Sequence, residues 1–283
     1  MTVAEALREA ARRLGEVSDT ARLDAELLMA EALGVSRADL LLRRMADETP
    51  DGFELLVARR LRHEPVAQIL GRKEFYGREF RVRRAVLTPR ADSETIIEAA
   101  LEAVAAPERI LDLGTGSGAL LLTLLAENPG AEGVGIDASP AALEVALANA
   151  DALDLAGRTR MLRRDWNEPG WQNDLGQFDL IVANPPYVEE TAELAASVRD
   201  YEPVEALFAG PEGLDDYRVL IPQLPTLLAS DGAVVLEIGP TQADAVSEIA
   251  ANVGFSSELR RDLANRPRAL ILRLRLGKEP ESG

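Results

Sequence analysis

Apolar side chains recur three or four positions apart over residues 1–70, which is the spacing of amphipathic helices. Asp19 can cap the second of these helices, and Gly34 is expected to end it. No strand pattern interrupts this part of the chain, so a small helical bundle is predicted. The four predicted helices span 4–14, 20–33, 36–42 and 50–61.

Beyond residue 70 the spacing of apolar positions changes. Residues 71–90 alternate in a way that predicts a β-hairpin with its turn at Gly77. From residue 91 onward, strand and helix patterns alternate, which predicts an α/β fold with a doubly wound, mostly parallel, seven-stranded sheet. No crossover helix separates the last two strands, so one of them is expected to be antiparallel. The predicted strands span 109–112, 133–137, 160–165, 178–183, 233–238, 256–261 and 270–275, and the predicted helices span 93–104, 118–128, 139–149, 219–228 and 243–252.

These patterns predict three parts: a helical domain over 1–72, a β-hairpin linker over 73–90 and an α/β domain over 91–283. The helical domain could simply stabilise the chain or could hold a partner protein, and the pattern leaves both open. Residues 278–283 are expected to form a frayed tail.

Composition and charge exclude several classes of function. The chain has no cysteine and one histidine, His63, which argues against disulfides, thiolate catalysis, a histidine-based zinc site and a Ser-His-Asp triad. Residues 91–283 carry 33 acidic and 14 basic side chains, which should repel a phosphate backbone, so direct DNA binding is not expected. No apolar run is long enough to span a membrane, and no secretory signal is evident, so a cytoplasmic protein without a metal site is expected.

A glycine-rich loop follows the first predicted strand of the α/β domain. Glycines at this turn allow a ligand to approach the backbone closely, and the amino end of the next helix favours a carboxylate or phosphate. The spacing fits neither a P-loop nor the dinucleotide fingerprint. The loop residues are Asp112, Gly114, Thr115, Gly116, Ser117 and Gly118.

Acidic residues end the next two predicted strands. Asp137 could accept hydrogen bonds from both hydroxyls of a ribose, or it could cap the helix that begins near Ser139. Asp165 and Trp166 could flank an adenine with an acceptor and an apolar face, although Trp166 could equally be a core aromatic.

The fourth strand, 178–183, leads into Asn184-Pro185-Pro186-Tyr187. The prolines fix the backbone and leave its carbonyls free to accept hydrogen bonds, Asn184 adds an amide, and Tyr187 adds a flat face. This combination suits the capture of a planar group that bears an NH₂. A strand followed by a proline-rich turn is the plainer interpretation.

Four motifs therefore follow four successive strands: the glycine loop, the acid that could bind a ribose, the pair that could flank an adenine, and Asn-Pro-Pro-Tyr. This series resembles class I S-adenosylmethionine-dependent methyltransferases that modify a planar amide or amine nitrogen. Further stretches resemble the HemK-type peptide-chain-release-factor glutamine methyltransferases. Ala91 and 265–267 depart from that family's pattern, outside the cofactor and amide motifs. The matching stretches are 33–37, 68–71, 74–75, Gly77, Phe80, 86–90, Glu94, 202–203, 206–207, Gly210, 213–214, 236–239 and Gln242.

The resemblance implies an amino-terminal substrate-recognition domain, a hairpin linker and a Rossmann-like methyltransferase domain. It implies that S-adenosylmethionine binds, and S-adenosylhomocysteine leaves, and that Asn184 touches both cofactor and substrate while Pro185, Pro186 and Tyr187 complete the substrate pocket. The expected substrate is the glutamine of the Gly-Gly-Gln motif in bacterial class 1 release factors, and a monomer is expected. The implied cofactor residues are Asp112, Gly114, Thr115, Gly116, Ser117, Gly118, Asp137, Asp165, Trp166 and Asn184.

Three alternatives remain at this stage. A glutamine-amide methyltransferase acting on a ribosomal protein would use the same motif. An adenine-N6 DNA methyltransferase is disfavoured by the acidic second half and by the lack of a recognisable target-recognition domain. A non-catalytic cofactor-binding module would have no need for Asn-Pro-Pro-Tyr.

Overall fold

The computed structural model of the protein describes residues 1–275, so the tail expected over 278–283 lies outside the described residues. The chain forms two compact units. The first contains 1–73, 82–84 and 194–202, and the second contains 74–81, 85–193 and the chain from 203 onward. The sequence had given no indication that 194–202 belongs with the helical part.

The helices and strands are as follows, in chain order. The helices are α1 (Val3–Leu14), α2 (Ala21–Leu33), α3 (Arg37–Arg43), α4 (Phe53–Leu61), α5 (Val66–Leu70), α6 (Glu94–Ala103), α7 (Ala119–Glu127), α8 (Pro140–Ala152), α9 (Ala196–Arg199), α10 (Asp215–Leu220) and α11 (Ala243–Ala251). The strands are β1 (Arg72–Phe75), β2 (Arg78–Arg81), β3 (Arg109–Leu113), β4 (Glu132–Asp137), β5 (Thr159–Arg163), β6 (Phe178–Ala183), β7 (Leu228–Glu237), β8 (Phe255–Arg261) and β9 (Pro267–Leu274).

The first unit is a helical bundle, as predicted, with α5 as an additional short helix. Its core is apolar and buried, and contains Leu7, Leu14, Leu28, Met29, Leu40, Phe53 and Val57. The prediction that Asp19 caps α2 was wrong: Thr20 holds the capping position without a side-chain cap, and its hydroxyl donates to Asp24 instead. Gly34 ends α2 with φ of 65°, as expected.

The segment 194–202 is held in the first unit by Tyr201. Its hydroxyl donates to the Arg62 carbonyl at 2.9 Å, and its own carbonyl accepts from Gln68 Nε2 at 2.9 Å. The guanidinium of Arg84 lies 4.6 Å from the centre of its ring, a cation–π contact.

The second unit contains the predicted seven-stranded sheet, in the order β5-β4-β3-β6-β7-β9-β8. β9 is antiparallel to both its neighbours, and the other pairings are parallel. The chain moves outward from β3 to β4 and β5, then returns to β6 on the other side of β3. This reversal is the topological switch point at which open α/β sheets bind ligands.

Two boundaries near the site differ from the prediction. A helix over 219–228 was expected, but α10 ends at Leu220 and a 3₁₀ helix over Ile221–Thr226 follows, because Pro222 and Pro225 lack the N–H groups that an α-helix needs. β5 ends at Arg163, so Asp165 follows the strand instead of ending it. Of the described residues, no helix is long and apolar enough to span a membrane.

Candidate active site

A cavity of about 720 Å³ lies in the second unit, and its lining includes the end of β4 and the segment that follows β6. This volume is within the usual range for a small-molecule site. Most of the predicted site residues meet there, while Asp112, Gly118, Pro185 and Tyr187 are not among its lining. The predicted residues that line it are Gly114, Thr115, Gly116, Ser117, Asp137, Asp165, Trp166, Asn184 and Pro186.

The glycine loop is held against the neighbouring strand by its backbone. The N–H groups of Gly114 and Thr115 both donate to the Ile136 carbonyl, at 2.9 and 2.8 Å. Gly114 has φ of 74°, and a Cβ there would lie 3.2 Å from the ring of Trp166. Glycine is therefore favoured at this position both by its positive φ and by the close approach of the indole.

Asp112 was expected to contact the cofactor. It is buried beneath the loop and is not among the residues that line the cavity. It is 1% exposed, and its Oδ2 accepts from the Thr115 hydroxyl at 2.7 Å. Its Oδ1 has no hydrogen-bond partner. Burial raises the pKa of Asp112 to about 7, against the opposing effect of the Thr115 hydrogen bond.

The raised pKa of Asp112 predicts a pH-dependent stability. Folding favours the protonated carboxyl, whereas the unfolded chain ionises near pH 3.8, so wild type should lose stability relative to Asp112→Asn as pH rises from about 4 to about 7. The expected slope is on the order of 1.4 kcal/mol per pH unit, and it should flatten above pH 7. Denaturant unfolding of both proteins across this range measures it; parallel curves would contradict the assignment.

Asp137 ends β4 and faces the cavity with a carboxylate that is already anchored. Its Oδ2 accepts from the Gly116 N–H and its Oδ1 from the Ser139 N–H, both at 2.9 Å. Ser139 itself caps α8 through its hydroxyl. Asp137 is therefore not the cap of α8, but it holds the turn before that helix. Each of its oxygens keeps a lone pair for a ligand hydroxyl, and ribose binding remains a prediction.

Trp166 lines the cavity and also packs on the apolar core, and its contact with an adenine remains a prediction. Its Nε1 donates to Asp216 Oδ1 at 2.9 Å, and its carbonyl accepts from Gln223 Nε2 at 3.2 Å. Asp216 lines the cavity beside it, and burial raises the pKa of its carboxyl. Asp216 was missed because it lies 50 residues away from Trp166, on α10.

Asn184 and Pro186 line the cavity directly after β6. β6 is buried in the middle of the sheet and ends at Ala183, as the two following prolines predict. Asn184 is partly exposed and lines the cavity. The site thus brings together an anchored acid, a glycine loop and the asparagine that follows β6.

Comparisons with known proteins match both the helical part and the α/β part of the chain. Residues 5–71 match a family model described as the PrmC N-terminal domain, and residues 106–252 match one described as a methyltransferase domain. A release factor glutamine methyltransferase from Rhodospirillum rubrum is 42% identical, over 90% of this chain and 79% of the relative. One from Cereibacter sphaeroides is 41% identical, over 97% of this chain and 99% of the relative. The chain belongs to the release factor glutamine methyltransferase family.

The fold of this family member also matches a solved structure. A methyltransferase from Pyrococcus furiosus superposes with a TM-score of 0.51, covering 77% of this chain and 96% of that one, at 17% identity. At this identity the likeness supports the class I methyltransferase fold alone.

The hydroxyl of Tyr187, a residue expected in the substrate pocket, points to a buried acid. It donates to Glu237 Oε1 at 3.3 Å, and Arg268 Nη1 lies 3.5 Å from the same hydroxyl. Burial, followed by the Glu237 charge, raises the pKa of Tyr187 to about 12. Tyr187 therefore stays a protonated donor, and its role in the substrate pocket remains a prediction.

Asn149, on α8, is a second residue that sequence reasoning missed. It is 1% exposed, and its amide donates to the Ser117 carbonyl at 2.8 Å and to the Arg81 carbonyl at 3.1 Å, while its Oδ1 accepts from the Arg81 N–H at 2.8 Å. It joins the glycine loop to the hairpin. A lone asparagine in a helical pattern gave no signal of this role.

Proposed function

We propose that this protein transfers a methyl group from S-adenosylmethionine to the side-chain amide nitrogen of a glutamine, the one in the Gly-Gly-Gln motif of bacterial class 1 release factors. The observation that carries the proposal is the meeting of Asn184 and Pro186 with the glycine loop and Asp137 in one cavity. The names of the relatives, which match this chain over most of its length, support the same substrate.

The lining of the cavity fits the cofactor. Its charged side chains are four acids and two arginines, an excess of negative charge that suits a sulfonium. The open backbone of Gly114 and Gly116 allows close approach, Asp137 can accept from the ribose, and Trp166 can cover the adenine. When bound, S-adenosylmethionine supplies an electrophilic methyl group on a good leaving group.

Asn184 and Pro185 would activate the substrate amide by accepting its hydrogens. An amide nitrogen is a poor nucleophile because its lone pair is delocalised into the carbonyl. If the Asn184 side-chain oxygen and the Pro185 carbonyl accept its two N–H bonds, electron density shifts toward nitrogen and its lone pair is aimed at the incoming methyl group. Catalysis would then consist of positioning and electrostatics.

A dedicated general base is not needed in this scheme. His63, the one histidine in the sequence, belongs to the first unit and does not line the cavity. The proton would leave the nitrogen after methyl transfer, when the alkylated amide is strongly acidic.

A methyl-transfer assay with labelled S-adenosylmethionine tests the proposal, with purified release factor, ribosomal proteins and DNA offered in parallel. Label is expected on the release factor, and peptide mass mapping should place it on the Gly-Gly-Gln glutamine. A release factor with glutamate at that position is the matched control and should stay unlabelled. Label on a ribosomal protein or on DNA would replace the proposed substrate, and no label with the cofactor still bound would indicate a binding module.

A further inference from the structure

The carboxylate of Glu237, at the end of β7, is hydrogen-bonded to two segments that line the cavity. It is 1% exposed and is not itself part of the lining. Its Oε2 accepts from the hydroxyl of Ser93, a lining residue, at 2.5 Å. Its Oε1 accepts from the hydroxyl of Tyr187, which directly follows the lining residue Pro186. One buried side chain thus links the turn before α6 to the Asn-Pro-Pro-Tyr segment.

Arg268 supplies the countercharge and strengthens the same link. Its Nη1 lies 3.9 Å from Glu237 Oε1, and its Nη2 donates to Asp92 Oδ2 at 3.0 Å. Asp92 immediately precedes Ser93. Glu237 and Arg268 therefore both hold the turn that contains these two residues. Charged groups buried together tolerate few geometries, because a displaced partner leaves an uncompensated charge.

Gln242 holds the other end of Tyr187. Its Nε2 donates to the Tyr187 carbonyl at 3.0 Å, and its Oε1 accepts from the Gly239 N–H at 3.0 Å. Tyr187 is therefore fixed both at its hydroxyl and at its carbonyl. Because Pro185 and Pro186 each have a fixed φ, anchoring Tyr187 also restricts the backbone that leads to Asn184.

We propose that Glu237 is a positioning residue for methyl transfer: by holding the hydroxyls of Tyr187 and Ser93, it keeps Asn184 and the Pro185 carbonyl in the geometry that accepts the substrate amide. This inference rests on the proposed function. Glu237 acts through Tyr187 and does not touch the substrate. Loss of the link should therefore lower turnover while leaving the glycine loop and Asp137, and with them cofactor binding, in place.

The test compares Glu237→Gln, Tyr187→Phe and Ser93→Ala with Tyr217→Phe as the matched control. Tyr217 is fully buried, and its hydroxyl donates to the main-chain carbonyl of Glu237 at 2.7 Å, so this control removes a hydrogen bond to the same residue but not to its carboxylate. We expect Glu237→Gln and Tyr187→Phe to lower kcat about 10-fold or more. Affinity for S-adenosylhomocysteine should change less than about 3-fold, and Tyr217→Phe should keep wild-type kcat even where its melting temperature falls equally.

Hydrogen exchange of the peptide spanning 184–188, with S-adenosylhomocysteine bound, provides a readout that needs no turnover. Faster exchange in Tyr187→Phe than in Tyr217→Phe would support the positioning role even if wild type methylated none of the offered substrates. A lack of methylation by wild type would contradict only the proposed function. Equal exchange in both variants, or equal losses of kcat, would overturn the inference.

Discussion

Replacing Asn184 by alanine should lower turnover on the release factor by about 10²–10³-fold, the usual cost of removing one group that stabilises charge at a reacting atom. The side-chain oxygen of Asn184 would no longer accept an N–H bond from the substrate amide, so the nitrogen would lose both activation and orientation. S-adenosylhomocysteine should bind only modestly more weakly, because the glycine loop and Asp137 remain. Single-turnover kinetics and calorimetry measure the two effects separately.

Asn167→Ala is the matched control for this prediction. Asn167 also lines the cavity, but its side-chain amide donates to Asp165, so it belongs to the wall near Trp166. It should change cofactor affinity more than the rate of the chemical step. Turnover of Asn184→Ala within a few-fold of wild type would remove Asn184 from the mechanism.

The residues that line the cavity at the strand ends could be predicted, because they directly follow strands in the sequence. The apolar run ending at Ala183 and the prolines after it specify where β6 stops, and the glycines after β3 specify a turn that only they can adopt. Parallel strands bring their carboxyl ends to one edge, so the order of motifs along the chain predicts their meeting at the switch point. Asp137 and Asn184 are found there.

The buried hydrogen bonds of Glu237 could not be predicted, because they join residues that are far apart in the sequence. Ser93 and Glu237 are 144 positions apart, and their contact requires the register of β7 as well as the turn before α6. A glutamate at the end of an apolar strand carries no sign of its partner. The family resemblance had included residue 237 within a matching stretch, without a reason for it.

Gly213→Ala should be among the most destabilising single substitutions in the second unit. Gly213 has φ of 66°, and a Cβ there would clash with the main-chain oxygen of Tyr187 and lie 2.8 Å from Gln242 Nε2. The left-handed conformation costs alanine about 1–2 kcal/mol, and the clash with backbone forces either the 210–213 turn or Tyr187 to move. We expect a total loss of about 3 kcal/mol or more in the free energy of unfolding.

Gly254→Ala separates the two contributions to this loss. Gly254 has φ of 92°, but a Cβ there would meet nothing within 4 Å, so this variant should show the backbone strain alone, about 1–2 kcal/mol. Denaturant unfolding of both variants measures the difference, and equal losses would contradict the close approach at Tyr187. Because the clash displaces Tyr187 from Gln242, Gly213→Ala should also lower turnover, whereas Gly254→Ala, in the turn before β8, should leave it unchanged. The same pair of variants therefore tests whether the segment after β6 must be held in place for methyl transfer.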